Sequence, residues 1–309
     1  MNNQIDLLII GGGPAGLNAA LYASRANISV TFVEKGAPGG KLTTTNKVEN
    51  WIGTEMIEGW KLATNFFEHA KLYGAQYKYG EVVKINHLGE YNFEVELASG
   101  EKLYTKTVLI ATGMINRVPY FIKNVEQFLN RGVSFCAICD GPLYKGFPTL
   151  VLGAGNSAVE ESVYLSSIAS EVHIVIKDSE FTAEKHLVDD LLKLHNVHVY
   201  RNSQIKELNG EEQLETAVIV DQNGNEQTLS IASFFPYIGM EPKADFAKHL
   251  DIFDKNGFIL TDETMETNIK GLFAAGDIRT KDIRQIVTAA SDGSIAAKKI
   301  TDIINALNS

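Results

Sequence analysis

Short apolar runs bounded by glycine or polar turns dominate the chain and predict an alternating α/β protein. Residues 5–10 (IDLLII) have the length of a buried strand. GGGPAG fills 11–16, and the small-residue pattern LNAALYASRA carries a helix to about Ala26. ISVTFV at 28–33 is a second β-rich run, ending at Glu34. The unit recurs: TLVL at 149–152, GAGNSA at 153–158, a helical pattern to about Ile168, and EVHIVI at 171–176. Two such units about 140 residues apart predict two Rossmann-like domains, not one sheet. Strand and turn patterns alternate between and after them (VVKINH, YNFEVEL, KLYTKTVLIATG, HVYRNSQIKELNG, TAVIVDQNGNEQTLSIA), with Asn223-Gly224 as a hairpin signal. GLFAAGD at 271–277 reads as a strand entering a turn, and 285–307 as helix. The first unit runs only to about Gly113 and lacks the strands of a finished sheet, so the closing segment is expected to return to it. The expected fold class is α/β, with two three-layer Rossmann-like domains. The first is discontinuous (1–116 and 247–309), and 117–246 is inserted in it.

Composition narrows the function. A chain of 309 residues suits two domains at ~100–200 residues each. Its formal net charge of −10, without a Lys/Arg-rich run, argues against binding a nucleic-acid backbone. No apolar stretch approaches the ~18–20 residues of a membrane span. The first basic residue is Arg25, so no secretory leader is expected. Cys136 and Cys139 are the two cysteines, too few for a disulfide framework. A reducing cytoplasm is the expected compartment, where a Cys-x-x-Cys pair means redox chemistry or half a metal site.

In the first unit each glycine answers a steric demand. Gly11 allows the tight turn, Gly13 lets backbone approach a pyrophosphate, and Gly16 allows close helix–strand packing. The helix N-terminus offers free N–H groups to phosphate oxygens. Glu34, 18 residues beyond Gly16, stands at the strand end, where a carboxylate accepts hydrogen bonds from ribose hydroxyls. Gly153, Gly155 and Ala158 repeat the glycine positions, but the same offset leads to Ile176. A 2′-phosphate would need cations there, Arg above all. Lys177 supplies one, while Asp178 repels a phosphate by about 1–4 kcal/mol at ~4 Å. The candidate nicotinamide-cofactor residues are thus Gly153, Gly155, Asn156, Ser157, Ala158 and Lys177.

CAICDG at 136–141 is the sharpest local signal. Two cysteines at this spacing close a readily exchanged disulfide, and Asp140 beside them can shuttle a proton. Zinc is the rival reading. It needs four ligands, no second Cys-x-x-Cys exists, and His186, His195 and His198 lie in a helix-then-strand region without evident ligand geometry. No metal is expected.

Together these segments resemble the low-molecular-weight thioredoxin reductases over essentially the whole chain. The matches stand in the family's order: GGGPAGLNAALYASRA at 11–26, GGKLTTTNKVENWIG at 39–53, ATG at 111–113, CAICDG, GAGNSAVEES at 153–162, and AAGDIRTKDIRQIVTAASDGSIAA at 274–297. The resemblance implies an FAD in the first domain, the redox pair in the inserted one, and a cytoplasmic homodimer that reduces thioredoxin or a similar small protein. It implies that Gly11, Gly13, Pro14, Ala15 and Gly16 cradle the pyrophosphate, with Glu34 and Lys35 at the adenosine ribose. Gly40, Lys41, Leu42, Asn50 and Val83 would line the cofactor, and Ala111, Thr112 and Gly113 would pass close to it. Gly276 and Asp277 would reach the ribityl chain, and Arg284, Gln285 and Ile286 the isoalloxazine edge. Where Lys41 stands the family more often has Gln. The resemblance also makes Cys139 the flavin-proximal thiol and Cys136 the one that attacks the partner's disulfide. Because one pair serves flavin and partner in turn, it implies a rotation of the second domain.

The family's phosphate-binding pattern is a His-Arg-Arg run with a further Arg four residues on, and Ile176-Lys177-Asp178…Thr182 departs from it. The electron donor stays open between NAD(P)H and a reduced ferredoxin or flavodoxin, for which Lys41, Lys47 and Lys61 are candidate docking cations. Two other functions share part of the motif set. One is a flavin-loaded redox sensor without turnover. The other is a ferredoxin–NADP reductase-like carrier, against which the cysteine pair counts.

Overall fold

The computed structural model describes residues 4–45 and 47–309, so residue 46 of the 39–53 segment lies outside the described residues. The chain forms two compact units, Met1–Ile115 with Glu241–Ser309, and Asn116–Met240. The return to the first unit falls at Glu241, six residues ahead of the expected 247. Its cause is packing: Ala244, Phe246 and Ala247 sit in an apolar cluster with Leu8, Ile10 and Val33.

The first unit opens with β1 (Ile5–Ile10), α1 (Pro14–Arg25) and β2 (Val30–Glu34). A small hairpin, β3 (Lys47–Val48) and β4 (Ile57–Glu58), precedes α2 (Gly59–Lys71) and β5 (Gln76–Tyr79). Next come β6 (Val82–Gly89), β7 (Asn92–Leu97), β8 (Lys102–Ile110) and β9 (Met114–Asn116). The second unit contains α3 (Ala137–Asp140), β10 (Thr149–Leu152), α4 (Asn156–Ser166), β11 (Val172–Val175), α5 (Lys185–Leu191) and β12 (Val197–Tyr200). It continues through β13 (Ser203–Asn209), β14 (Thr216–Asp221), β15 (Glu226–Ser230) and β16 (Ser233–Pro236). The chain returns along β17 (Met240–Pro242) and closes with β18 (Leu272–Ala274) and α6 (Ile286–Asn308).

In the first unit β5, β2, β1 and β8 lie side by side in parallel. The long β8 then divides its partners. Its first half pairs antiparallel with β7, and Val108–Ile110 pair parallel with β18. Successive residues of β1 serve opposite faces, as a period of two requires. Leu7 and Ile9 join the cluster containing α1 and α6, while Leu8 and Ile10 join the one beneath β6 and β7. Three layers result: helices, parallel sheet, antiparallel strands.

The second unit repeats this plan. Its parallel sheet has the order β12-β11-β10-β16, beside an antiparallel β13-β14-β15 meander whose β14–β15 turn carries the Asn-Gly pair. Val151 and Phe235 face the side holding α4 and α5, whereas Leu150, Leu152 and Phe234 face the meander. Crossover helices in both units sit where the connection between neighbouring parallel strands demands them.

Candidate functional site

The first glycine turn leaves β1 and enters α1 at Pro14, whose fixed φ suits the first helical position. Gly11 holds φ +109, and a Cβ on it would lie 2.4 Å from the Ala111 carbonyl oxygen. A Cβ on Gly16 would lie 2.1 Å from the Gly11 carbonyl oxygen, so α1 reaches the sheet only through this glycine. Gly13 differs: the nearest atom to its Cβ position is the Gly40 Cα at 4.0 Å. The backbone at Gly13 is therefore uncrowded, as the close approach of a pyrophosphate would require. Glu34 closes the turn from the neighbouring strand. Its Oε2 accepts from Gly12 N at 2.8 Å and its Oε1 from Gly36 N at 2.7 Å, and each oxygen retains a lone pair for a ribose hydroxyl. Gly11, Glu34, Lys35, Val83 and Thr112 line one cleft of about 340 Å³. Lys35 pairs across its rim with Glu81 at 3.0 Å. Five residues chosen from the sequence thus meet in one cleft.

The remaining cofactor candidates of this unit gather on the other side of the turn. Gly39 N donates to Gly12 O at 2.7 Å, and a Cβ on Gly40 would stand 3.2 Å from the Gly13 Cα. Lys41 then reaches Asp277 at 3.7 Å, and Arg284 Nε donates to the Asp277 carbonyl at 3.5 Å with its guanidinium over the Phe258 ring. Burial pulls the Lys41 ammonium below its ordinary range; Asp277 opposes the drop and the Arg284 charge adds to it. Asn50 Nδ2 donates to Gln285 Oε1 at 3.0 Å. Leu42 and Ile286 instead pack together in a small apolar cluster with Val48 and Leu62, so their side chains hold the loop. Of the three candidate docking cations, Lys41 is paired with Asp277 and Lys61 with Glu58 at 2.6 Å, while Lys47 is exposed.

One residue behind this region escaped the sequence reading. Asp292, 6 % exposed, accepts from Gly276 N at 3.0 Å, Arg279 Nη1 at 3.2 Å and Lys281 Nζ at 2.8 Å. It fixes the turn that presents Gly276 and Asp277. An acid interrupting the small apolar run VTAASDGSIAA was the available signal.

Cys136, Cys139 and Asp140 lie in the second unit, on and just before the short helix α3. The cysteines form a disulfide with Cα atoms 5.3 Å apart. Cys136 N donates to Ser134 Oγ at 3.1 Å, and Cys139 N donates to Cys136 Sγ at 3.1 Å. An N–H aimed at a sulfur favours negative charge there, so on reduction Cys136 is the better supported thiolate. Cys139 is exposed and Cys136 half-buried. Burial raises the pKa of the Tyr144 phenol, and the nearby Asp140 charge adds to the rise. His186 lies in α5, His198 in β12 and His195 in the turn between them, where His198 stacks on His173 at 5.3 Å.

A second missed residue sits on α4. Glu161 Oε2 is buried and has no hydrogen-bond partner, and burial with the neighbouring Glu160 pushes its carboxyl up to about 7. The Tyr237 hydroxyl is also buried, and burial raises its pKa, with Glu161 adding to the effect and the Ala137 backbone opposing it.

The second glycine turn repeats the first in its backbone. Gly153 N donates to Val175 O at 3.2 Å, as Gly11 N does to Val33 O at 2.9 Å. This correspondence sets Ile176 opposite Glu34. Ile176 is fully buried among apolar side chains. Gly153 holds φ +145 against the Tyr237 carbonyl, and Ala158 packs beside it. Asn156 exchanges hydrogen bonds with Glu184, at 2.9 and 3.1 Å. Lys177 is exposed just past the strand end.

Among the described residues no helix is long and apolar enough to cross a membrane. Residues 5–293 match the family model described as pyridine nucleotide-disulphide oxidoreductase. The chain is 50 % identical over 303 residues to the thioredoxin reductase of Mycoplasmopsis pulmonis, covering 98 % of each. It is 44 % identical over 300 residues to that of Ureaplasma parvum, covering 96 % of each. Among solved structures it is similar to Lactococcus lactis thioredoxin reductase in its FR conformation, with a TM-score of 0.92 and 34 % identity, covering 97 % of this chain and 99 % of that one.

Proposed function

The chain belongs to the pyridine nucleotide-disulphide oxidoreductases, within them to the thioredoxin reductases, and from that premise we propose that it passes electrons from a reduced nicotinamide dinucleotide, through FAD and the Cys136–Cys139 pair, to the disulfide of a thioredoxin. The observation that carries the disulfide chemistry is the Cys139 N–H directed at Cys136 Sγ. Bound FAD supplies a two-electron relay between a hydride donor and a dithiol. The Gly11–Gly16 turn would hold its pyrophosphate, Glu34 its adenosine ribose, and the Lys41–Asp277–Arg284 group the flavin end. Opening the Cys136–Cys139 disulfide takes up two electrons and two protons, one of them handled by Asp140. The Cys136 thiolate then attacks one sulfur of the partner's disulfide, forming a mixed disulfide and a leaving thiolate. The Cys139 thiolate then attacks Cys136 Sγ and displaces the partner sulfur bonded to it, which restores the Cys136–Cys139 bond and releases the partner as a dithiol.

Two observations favour a nucleotide over a small electron-transfer protein as donor. The second glycine turn keeps the backbone geometry of the first. Lys41, one of the cations that could greet an acidic protein, is already paired with the largely buried Asp277. A cytoplasmic homodimer completes the reading, and sedimentation of the purified protein tests the dimer. The donor is tested by anaerobic mixing of the oxidised protein with NADPH, NADH and reduced ferredoxin in parallel, followed by oxidised thioredoxin. Flavin bleaching by a nicotinamide dinucleotide and recovery with thioredoxin is the expected result. Bleaching by ferredoxin alone overturns the donor, and bleaching without thioredoxin turnover favours a sensor.

A further inference from the structure

Arg201 stands where the second unit would meet the adenosine ribose of a dinucleotide. In the parallel pairing of β11 with β12, Val175 lies opposite Tyr200. The ladder continues as Ile176 N donates to Tyr200 O at 3.0 Å. The next residue along, Arg201, therefore lies beside Ile176, the counterpart of the ribose-binding Glu34. Its guanidinium is held in place: Nη1 donates to Ser179 O at 2.8 Å, and the group lies 5.5 Å from the centroid of the Phe181 ring. Asn202 N donates to Asp178 O at 3.2 Å, tying the two strand-end turns together. Thr182, bonded through its N–H to Ala154 O at 2.9 Å, brings its hydroxyl to the Gly155 side of the glycine turn. Lys177 is exposed at the same strand end.

Building on the nucleotide-donor reading, we propose that Arg201, together with Lys177, binds the 2′-phosphate of a nicotinamide dinucleotide and makes NADPH the preferred donor. Positions 178 and 182 hold Asp and Thr; Asp178 is exposed, where solvent and salt screen its repulsion of a phosphate, and Arg201 on the neighbouring strand offers the cation that these positions lack. One of the five guanidinium donors is used by Ser179, and the others suit a bidentate grip on phosphate oxygens. Glu180 competes, its Oε2 being 3.5 Å from Arg201 Nη1. That carboxylate is 83 % exposed, and an exposed pair of this kind is weak enough to yield to a dianion.

Calorimetric titration of the oxidised, FAD-loaded enzyme with adenosine 2′,5′-bisphosphate and with adenosine 5′-monophosphate tests this without turnover. The bisphosphate should bind about tenfold or more tightly, with an advantage that shrinks as salt is raised. Arg201→Ala should weaken the bisphosphate by about ten- to hundredfold and leave the monophosphate unchanged, Arg201→Lys should restore part of the loss, and Glu180→Gln should tighten the bisphosphate. Equal affinity for the two ligands in the parent protein overturns the proposal and leaves a nucleotide donor standing. Parallel weakening of both ligands in Arg201→Ala also overturns it. If that variant melts early, Glu180→Gln decides, and an unchanged bisphosphate affinity there overturns the proposal. Failure of either ligand to bind, joined to a flavin that neither NADPH nor NADH bleaches, overturns the donor reading as well.

Discussion

Glu161 carries a measurable consequence for stability. Its carboxyl keeps a proton in the folded chain up to about pH 7, whereas the unfolded chain releases it near 4.5. The folded state therefore binds more protons between those values, and stability falls as pH rises through that window. Glu161→Gln removes the penalty. The variant should match the parent near pH 4.5 and gain on it to a plateau above pH 7, by at most about 3.4 kcal/mol. Melting curves from pH 4.5 to 8.5 check this, and a difference independent of pH would sink it. The two thiols make a second residue-scale case. With Cys139 nearest the flavin, Cys136→Ser leaves a thiolate against the oxidised ring and should show long-wavelength charge-transfer absorbance, while Cys139→Ser should not. The reverse pattern would exchange the roles. Residues like Cys136, Gly11 and Glu34 were legible because a motif fixes both type and spacing. Asp292, Glu161 and Arg201 were not, since each acts through neighbours distant in the chain: Gly276, Tyr237 and Ser179.

At the level of elements, the periodicity of short apolar runs located β1, α1, β10 and the closing helix to within a few residues. It could not say what α6 packs against. The crossing of α6 on α1 is set by Gly293, where a Cβ would lie 2.2 Å from the Ala15 carbonyl oxygen, and by Asn18 Nδ2 donating to Ala290 O at 2.6 Å. A glycine inside a helical pattern reads locally as a modest propensity loss, and only the partner helix reveals its steric role. The division of β8 between an antiparallel and a parallel neighbour was equally hidden, because pairing partners leave no mark on the apolar pattern of the strand itself. Gly293→Ala should force α6 away from α1 and cost about 1–3 kcal/mol, more if the backbone cannot shift. If the α1 turn and Gly276 hold FAD as proposed, the variant should also lose FAD on gel filtration. A variant that melts and retains FAD like the parent would show that the helices part without strain.

For the whole molecule, the apolar clusters are the guide. Leu7, Ile9, Phe32 and Phe273 belong to clusters built from the first unit, which the chain completes only on its return after Glu241. Phe128, Phe234, Val151 and Phe235 belong to clusters built from the continuous second unit. Each unit thus buries its own core, the condition for unfolding as a separate cooperative block. Calorimetry of the holoprotein should show two transitions. FAD bound in the first unit stabilises that unit alone by mass action, so added FAD should raise one transition and leave the other in place. Stripping the cofactor should lower the same one, and the two should then lie closer together or change order. The immobile transition should report the second unit, and reduction of the Cys136–Cys139 disulfide, which lies within it, should shift that transition and not the FAD-dependent one. A single transition that follows FAD as a whole would mean that the two cores unfold as one.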